Sequence, residues 1–365
     1  MKKKNLTRKL ITSIATATMT AVCLTTTTYA WFTTNQVVWT EETDFNLDFY
    51  SGLLISFDGV NFHQDVTKEE LYQAITGLTD KTEAAEAYAN ISFDGVTPQH
   101  DADGKIAYGT DGNMIFQYDT VDKETSTHSY ETATANQRYI KFDLYFRIAD
   151  GGTVTSSAAP SYKLVFTENT KLISKSGAQT VTLVNSLTTM DKTYVAGETI
   201  EVDGANALRA GVQTYSYQNN AYTTDSVNVY EKINSYNLGS AAITDATDNL
   251  HNPEKNAMYT YYNNFFAEKF TEAAPSYGDD GNGNVVFGEA FNTHSEFDDD
   301  SNLGTFQGTI GTDDNGNQTY KYNDVKLTIY LWLEGWDADY FYGITSSNVS
   351  ARTMSTYLEF TYEEI

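Results

Sequence analysis

Two nine-residue stretches, Ile140–Ile148 and Val325–Leu333, alternate apolar and polar residues without a break. In the first, Ile140, Phe142, Leu144, Phe146 and Ile148 share one face, and Lys141, Asp143, Tyr145 and Arg147 take the other. In the second, Val325, Leu327, Ile329, Leu331 and Leu333 stand against Lys326, Thr328, Tyr330, Trp332 and, one residue on, Glu334. A period of two is that of a strand with one buried face, and no helix gathers these positions on one side. Shorter versions occur at Tyr162 to Phe166, Val181 to Val184, Leu208 to Val212 and Tyr357 to Tyr362. Many strands of this kind are satisfied by two antiparallel sheets packed face to face, or by a barrel. The expected fold is therefore mainly β, an antiparallel two-sheet β-sandwich. Composition agrees: 27 Tyr and 19 Phe are far more than a disordered chain carries, and only 4 Pro interrupt the strands.

Turn and helix signals refine this picture. Ser56-Phe57-Asp58-Gly59-Val60-Asn61-Phe62 sets Asp-Gly between apolar residues, a strong hairpin signal. The hexapeptide Ile-Ser-Phe-Asp-Gly-Val recurs at Ile91 to Val96 and reads as the same hairpin used again, since no sustained period accompanies it. Asp314-Asn315-Gly316-Asn317 predicts another hairpin tip. Thr67 followed by Glu70, then Leu71, Ala74, Ile75 and Leu78, has the form of a capped amphipathic helix ending near Gly77. Thr82 to Tyr88 and Asn256 to Phe270 are further helix candidates. No Pro- or Ser-rich linker divides the chain, so one β domain over 31–365 is expected. It would carry a helical insertion at about 66–90 and an acidic, loop-rich insertion at about 245–305.

The first thirty residues have the order of a secretion signal. Lys2, Lys3, Lys4, Arg8 and Lys9 precede a short apolar run from Leu10 to Leu24, and Thr28-Tyr29-Ala30 supplies small residues where a signal peptidase cuts. The run is too short and too rich in hydroxyls for a bilayer span of about 20 apolar residues. Cleavage between Ala30 and Trp31 is expected, placing the protein outside the cytoplasm and in contact with a membrane only during export. It would remove Cys23, the only cysteine, and with it disulfide, thiol and zinc–thiolate chemistry. The remaining 335 residues would hold 18 Lys and Arg against 49 Asp and Glu, a net charge of −31. So acidic a chain is unsuited to nucleic acid, whose phosphates require cations.

Chemistry-bearing motifs are sparse. The histidines His63, His100, His128, His251 and His294 are scattered, and no metalloprotease, phosphate-loop or serine-elbow motif is present, so no catalytic residue and no enzyme is expected. Asp280-Gly-Asn282-Gly-Asn284 places oxygen ligands at alternate positions, as the start of a calcium loop does. Val285 then stands where such a loop needs Gly, and no Glu closes it twelve positions on. The segment reads as an acidic loop, with Asp280, Asn282 and Asn284 as calcium candidates. No other cofactor is expected.

Two places resemble a known family. Thr28-Tyr29-Ala30-Trp31-Phe32-Thr33-Thr34-Asn35 resembles the SipW-type signals of Gram-positive bacteria, in which small residues precede an aromatic-Phe-Ser/Thr start. Leu331-Trp332-Leu333-Glu334-Gly335-Trp336-Asp337 looks like the strand-end motif of Firmicute surface proteins exported with such signals. Ala207-Leu208-Arg209 and Tyr139 to Tyr145 are similar to their interior strands. Together these resemble the TasA/camelysin group of biofilm-matrix and cell-surface proteins. The resemblance implies a jelly-roll-like sandwich, a dedicated signal peptidase, and in some members assembly into fibres. Physically, Gly335 permits a sharp turn after the strand, Trp336 caps the sandwich end, and Glu334 and Asp337 are candidates to pair with a buried Arg209.

The expected role is that of a secreted structural or cell-surface protein, a biofilm-matrix fibre subunit. Phe32, Val37, Val38 and Trp39, released by cleavage, would form an assembly strand that adds to a neighbour's sheet, or else pairs within its own. Its partners would be further copies of itself or other matrix and surface proteins. The alternative is an extracellular binding module or adhesin for carbohydrate, calcium-dependent or not, using exposed Tyr and Trp on a sheet face.

Overall fold

The structure is a computed structural model that describes residues 44–49, 52–64, 66–92, 95–99, 106–121, 128–149, 151–167, 169–174, 179–183, 186–188, 193–202, 204–218, 221–231, 278–279, 285–286, 293–294, 302–335 and 354–365. It is mainly β, as the alternation predicts. The largest sheet has six strands in the order β18 (Thr293–His294), β15 (Ala221–Glu231), β14 (Leu208–Gln218), β22 (Val325–Leu333), β6 (Ile140–Ile148) and β2 (Leu53–Ser56). The two strictly alternating segments lie side by side at its centre, with Leu331 opposite Ile140 and Val325 opposite Phe146.

A five-stranded sheet runs β1 (Asp44–Phe49), β23 (Met354–Glu364), β8 (Tyr162–Phe166) and β19 (Gly304–Phe306), and β9 (Lys171–Ser174) also pairs with β23. Most pairs are antiparallel. β1 is not: it runs parallel to β23, from Asp44 opposite Ser355 to Phe49 opposite Phe360. Parallel neighbours cannot be joined by a tight turn. These two come from opposite ends of the described chain, so no turn constrains them. Smaller sheets complete the fold: β3 (Thr97–Pro98) with β4 (Phe116–Val121) and β5 (His128–Thr132), and β20 (Gly308–Thr312) with β21 (Gln318–Tyr322) and β7 (Gly151–Thr153). β10 (Gln179–Thr182) pairs with β13 (Thr199–Val202) around the nested β11 (Leu187–Thr188) and β12 (Thr193–Tyr194), and β16 (Gly278–Asp279) pairs with β17 (Val285–Val286).

The inward faces of the two large sheets belong to one buried cluster, which joins Ile140, Phe142, Leu144, Phe146, Leu327 and Ile329 to Leu164, Phe166, Leu358 and Phe360. Ring contacts cross between the sheets, with Phe146 and Phe360 centroids 4.7 Å apart and Phe166 and Tyr230 5.6 Å apart. Each buried large side chain contributes about 1.5–3 kcal/mol by leaving water.

Both shorter predicted helices are present. α1 (Lys68–Thr76) begins at a reciprocal capping box: the Glu70 amide donates to the Thr67 hydroxyl, and the Thr67 amide donates to the Glu70 carboxylate at 2.7 Å. It ends on Gly77 at φ 71, a left-handed cap that glycine adopts without a Cβ clash. α2 (Lys81–Ala89) is capped by Asp80, whose carboxylate accepts from the Thr82 and Glu83 amides. Leu71 and Ile75 of α1 enter the main cluster, so this insertion helps to close the core. The third candidate helix, Asn256 to Phe270, lies outside the described residues.

One expectation changes. The polar face of β6 is half-buried as predicted, but Thr328, Tyr330, Trp332 and Glu334 on the corresponding face of β22 are buried, and a further layer covers Tyr330 and Trp332. The two copies of the repeated hexapeptide have different surroundings. The first copy reverses the chain, with Ile55 bridged to His63. In the second copy, residues 93–94 lie outside the described residues, and Val96 bridges Glu334 at the buried end of β22. Leu303 and β19, at the C-terminal end of the expected acidic insertion, pair with β8.

Candidate functional site

The outer face of the six-stranded sheet is divided into a covered end and an open end. At the covered end, the segment around Met114 and Phe116 lies over Tyr330 and Trp332. The Phe116 ring is 5.1 Å from Trp332, 5.9 Å from Tyr330 and 4.3 Å from Tyr139. The Tyr330 hydroxyl anchors this layer. It accepts from the Met114 amide at 3.2 Å and donates to the Gln213 side-chain oxygen at 2.7 Å, with the Asn113 oxygen at 3.2 Å. Gln213 in turn donates to Gly112 O and to the Thr224 hydroxyl, each at 2.8 Å. Burial pushes the Tyr330 and Tyr139 phenols upward, that of Tyr139 to about 12, so both remain neutral hydrogen-bonding groups.

The predicted strand-end motif belongs to this covered end. Trp332 and Glu334 are fully buried, and the Trp332 indole donates to the Glu334 carboxylate at 3.1 Å. Arg209, also fully buried, stands opposite Trp332 in the β14–β22 register. The strand end is held from two sides: Glu334 N donates to Ala207 O, Val96 N to Leu333 O, and Gly335 N to Val96 O. A Cβ on Gly335 would stand 2.8 Å from the Gly95 carbonyl carbon, so this position needs glycine for close backbone approach. Trp332, Glu334 and Gly335 therefore act as a structural clamp. Trp336 and Asp337 lie outside the described residues.

The open end carries a tyrosine cluster. Tyr145 of β6, Tyr215 and Tyr217 of β14 and Tyr222 of β15 gather there. Tyr222 lies 4.9 Å from Tyr217, 6.1 Å from Tyr145 and 6.3 Å from Tyr215, centroid to centroid. Tyr217 and Tyr222 face each other across the β14–β15 hairpin. A register shift between Thr214 and Tyr215 gives this end of the hairpin its own alternation. Tyr108, 43% exposed, borders the cluster from the covering layer.

Lys326 sits among the rings, its ammonium 4.7 Å from the Tyr215 centroid and 5.6 Å from that of Tyr145. It pairs with Asp143 at 2.9 Å. Thr328 donates to Asp143 at 2.6 Å and shares a 2.7 Å hydrogen bond with the Tyr215 hydroxyl. Burial opposes the Lys326 charge, but the Asp143 hydrogen bond and charge outweigh it, and the ammonium is held above its ordinary range. At the edge, Arg147 makes a two-pronged contact with Asp324 at 2.7 and 2.8 Å and stacks 3.7 Å over the Phe62 ring. Burial raises the phenols of Tyr215, Tyr222 and Tyr108. The arrangement offers aromatic faces, neutral hydroxyl donors and two internally compensated cations; no nucleophile–base pair is assembled in it.

Alternation alone placed Tyr145 on a polar face, and the Tyr-Ser-Tyr spacing of Tyr215 and Tyr217 was the available signal for the rest. The cluster is formed by pairing across three strands, which the sequence does not specify. The remaining candidates, Ala30 and Trp31 at the cleavage point, the assembly strand Phe32, Val37, Val38 and Trp39, and the calcium candidates Asp280, Asn282 and Asn284, lie outside the described residues. The calcium segment links β16 to β17. Among the described residues, no group of three or more His, Cys, Asp or Glu side chains is placed to hold a metal ion, and no helix is long and apolar enough to cross a membrane. In comparisons with known proteins, the chain matches no family, no curated protein and no solved structure.

Proposed function

We propose that this protein is a secreted structural subunit of the cell-surface or biofilm-matrix kind, which assembles by strand addition. Its two large sheets form a jelly-roll-like sandwich, and the segment 31–40, freed by signal cleavage, adds to the sheet of the next subunit. The observation that carries this reading is the edge at β1. Among the described residues β1 pairs on one side only, with β23, over six residues. The other side presents a row of backbone donors and acceptors, the template on which a further strand pairs. The aromatic and β-branched segment Trp31 to Thr40 immediately precedes that edge in the chain.

Electron microscopy of chains beginning at Trp31 and at Glu41 tests the proposal. Filaments from the first and none from the second are expected. Filaments of equal abundance from both would rule out the strand-addition mechanism.

A further inference from the structure

The open end of the six-stranded sheet is on a different sheet from β1, and the assembly mechanism does not use it. The geometry points to a binding face for a neutral polysaccharide, centred on Tyr217 and Tyr222 and bordered by Tyr108, Tyr145 and Tyr215. Three observations lead to this class of ligand.

The first is the chemistry of the surface. Rings 4.9 to 6.3 Å apart give a contiguous aromatic face, and each of these rings ends in a hydroxyl. A sugar ring has the matching character, with C–H groups on its faces and hydroxyls around its rim, whereas a purely apolar ligand would cover the exposed phenol of Tyr217 without giving its hydroxyl a partner.

The second is charge. In a chain with a formal charge of −26, this face holds two cations, and each is matched by a carboxylate on the same face: Lys326 by Asp143 and Arg147 by Asp324. The face is locally neutral within an acidic protein, so an anionic polymer is repelled by the surroundings and a cationic one finds no unpaired carboxylate in the cluster.

The third is rigidity. Tyr215 is fixed by Thr328, Tyr145 lies beside Lys326, and Tyr217 and Tyr222 are held by strand pairing. Little side-chain freedom is lost when a ligand settles on such a surface. Tyr217 and Tyr108 are 42% and 43% exposed and supply the accessible contacts. Burial raises the phenols of Tyr222 and Tyr108, so their hydroxyls are protonated donors at neutral pH.

The test is affinity electrophoresis and calorimetry of the full-length chain against defined neutral polymers: a β-glucan, chitin oligosaccharides, dextran, mannan and galactan. Alginate serves as the polyanion control. At least one neutral polymer should bind, with an affinity that changes little between low and high salt, and alginate should not. Tyr217→Ala and Tyr108→Ala, both at exposed rings, should weaken binding about tenfold or more, in line with about 1.4 kcal/mol per tenfold change. Tyr217→Phe should fall between, because it keeps the ring and loses the hydroxyl. Failure of every neutral polymer to bind, preference for alginate, or unchanged binding by Tyr217→Ala would overturn the assignment. None of these results depends on filament formation, so this inference and the assembly mechanism fail separately.

Discussion

Tyr330→Phe removes one oxygen atom and keeps the ring, which isolates the anchoring of the covering layer on the sheet. The side chain is fully buried, and its hydroxyl accepts from the Met114 amide and donates to Gln213. Without it, the Met114 N–H loses its acceptor at a site where the residue itself is 3% exposed, and the Gln213 oxygen loses its donor. A buried donor left without a partner costs about 1–3 kcal/mol, and a lost neutral hydrogen bond about 0.5–1.5 kcal/mol. The two effects together give a destabilisation of about 1.5–4.5 kcal/mol. At about 2–4 °C per kcal/mol for a large domain, the melting temperature should fall by about 3–18 °C. Equilibrium unfolding in urea should show a lower midpoint with an unchanged slope, because the exposed surface is the same in both states. Gln213→Met in the Tyr330→Phe background should cost less than it does alone, with a coupling of about 1 kcal/mol. A Tyr330→Phe protein within about 0.5 kcal/mol of the parent would show that the layer does not rest on this hydroxyl, and the account of the covered end would be wrong.

Further outcomes follow from the same geometry. Gly335→Ala forces a Cβ to 2.8 Å from the Gly95 carbonyl carbon and should cost about 1–3 kcal/mol, measured by thermal unfolding, with the Val96 and Gly335 amides losing hydrogen-exchange protection. Thr67→Ala removes the hydroxyl side of the α1 capping box and should cost about 1 kcal/mol. The Thr67 amide hydrogen bond holds the Glu70 carboxyl below its ordinary 4.5, so this cap stabilises the fold above that pH and is lost as the pH falls through the lower folded value. At the alkaline end, the phenols of Tyr330, Tyr222 and Tyr139 are raised by burial above 10.0, so their contribution is complete below pH 10 and is lost as the pH rises through their folded values. Tyrosinate absorbance should therefore appear at higher pH in the native protein than in urea; coincident titration curves would contradict the burial of these rings.

Much of the fold was legible because the two central strands carry their pattern without interruption. Lys141, Asp143 and Arg147 identify the outer face of β6 as partly solvated, and the structure keeps it so. On β22 the same reading failed, and the residue types contain the reason. Tyr330 and Trp332 are polar enough to alternate with Leu and Ile yet large and apolar enough to be buried, and they are buried once Phe116 and Met114 fold over them, while Thr328 is enclosed by Tyr215 and Asp143. A chain-distant cover of this sort leaves no periodic trace in the strand it covers. The capping box at Thr67 and Glu70 was legible because it is wholly local, and so was the tip near Gly316, where the amides of Asn315 and Asn317 donate to the Asp313 carboxylate. The second hexapeptide copy shows the converse. Its local signal is the same as the first, but Gly95 and Val96 are claimed by the end of β22. The tyrosine face required knowing which strands are neighbours. Tyr145 and Tyr222 are far apart in sequence, and only the sheet order brings their centroids to 6.1 Å.

The central claim, that segment 31–40 of one subunit pairs with the β1 edge of another, is open to a direct crosslinking measurement. A chain beginning at Trp31 contains no cysteine, so single thiols can be introduced at will. Val38→Cys protein is mixed with Leu47→Cys protein and treated with a short bismaleimide. Mixed dimers that join one chain of each kind are expected, with higher species accumulating when a doubly substituted chain is used. Monomers from the mixture, together with an internal crosslink in the doubly substituted chain, would contradict it and place the segment in its own sheet.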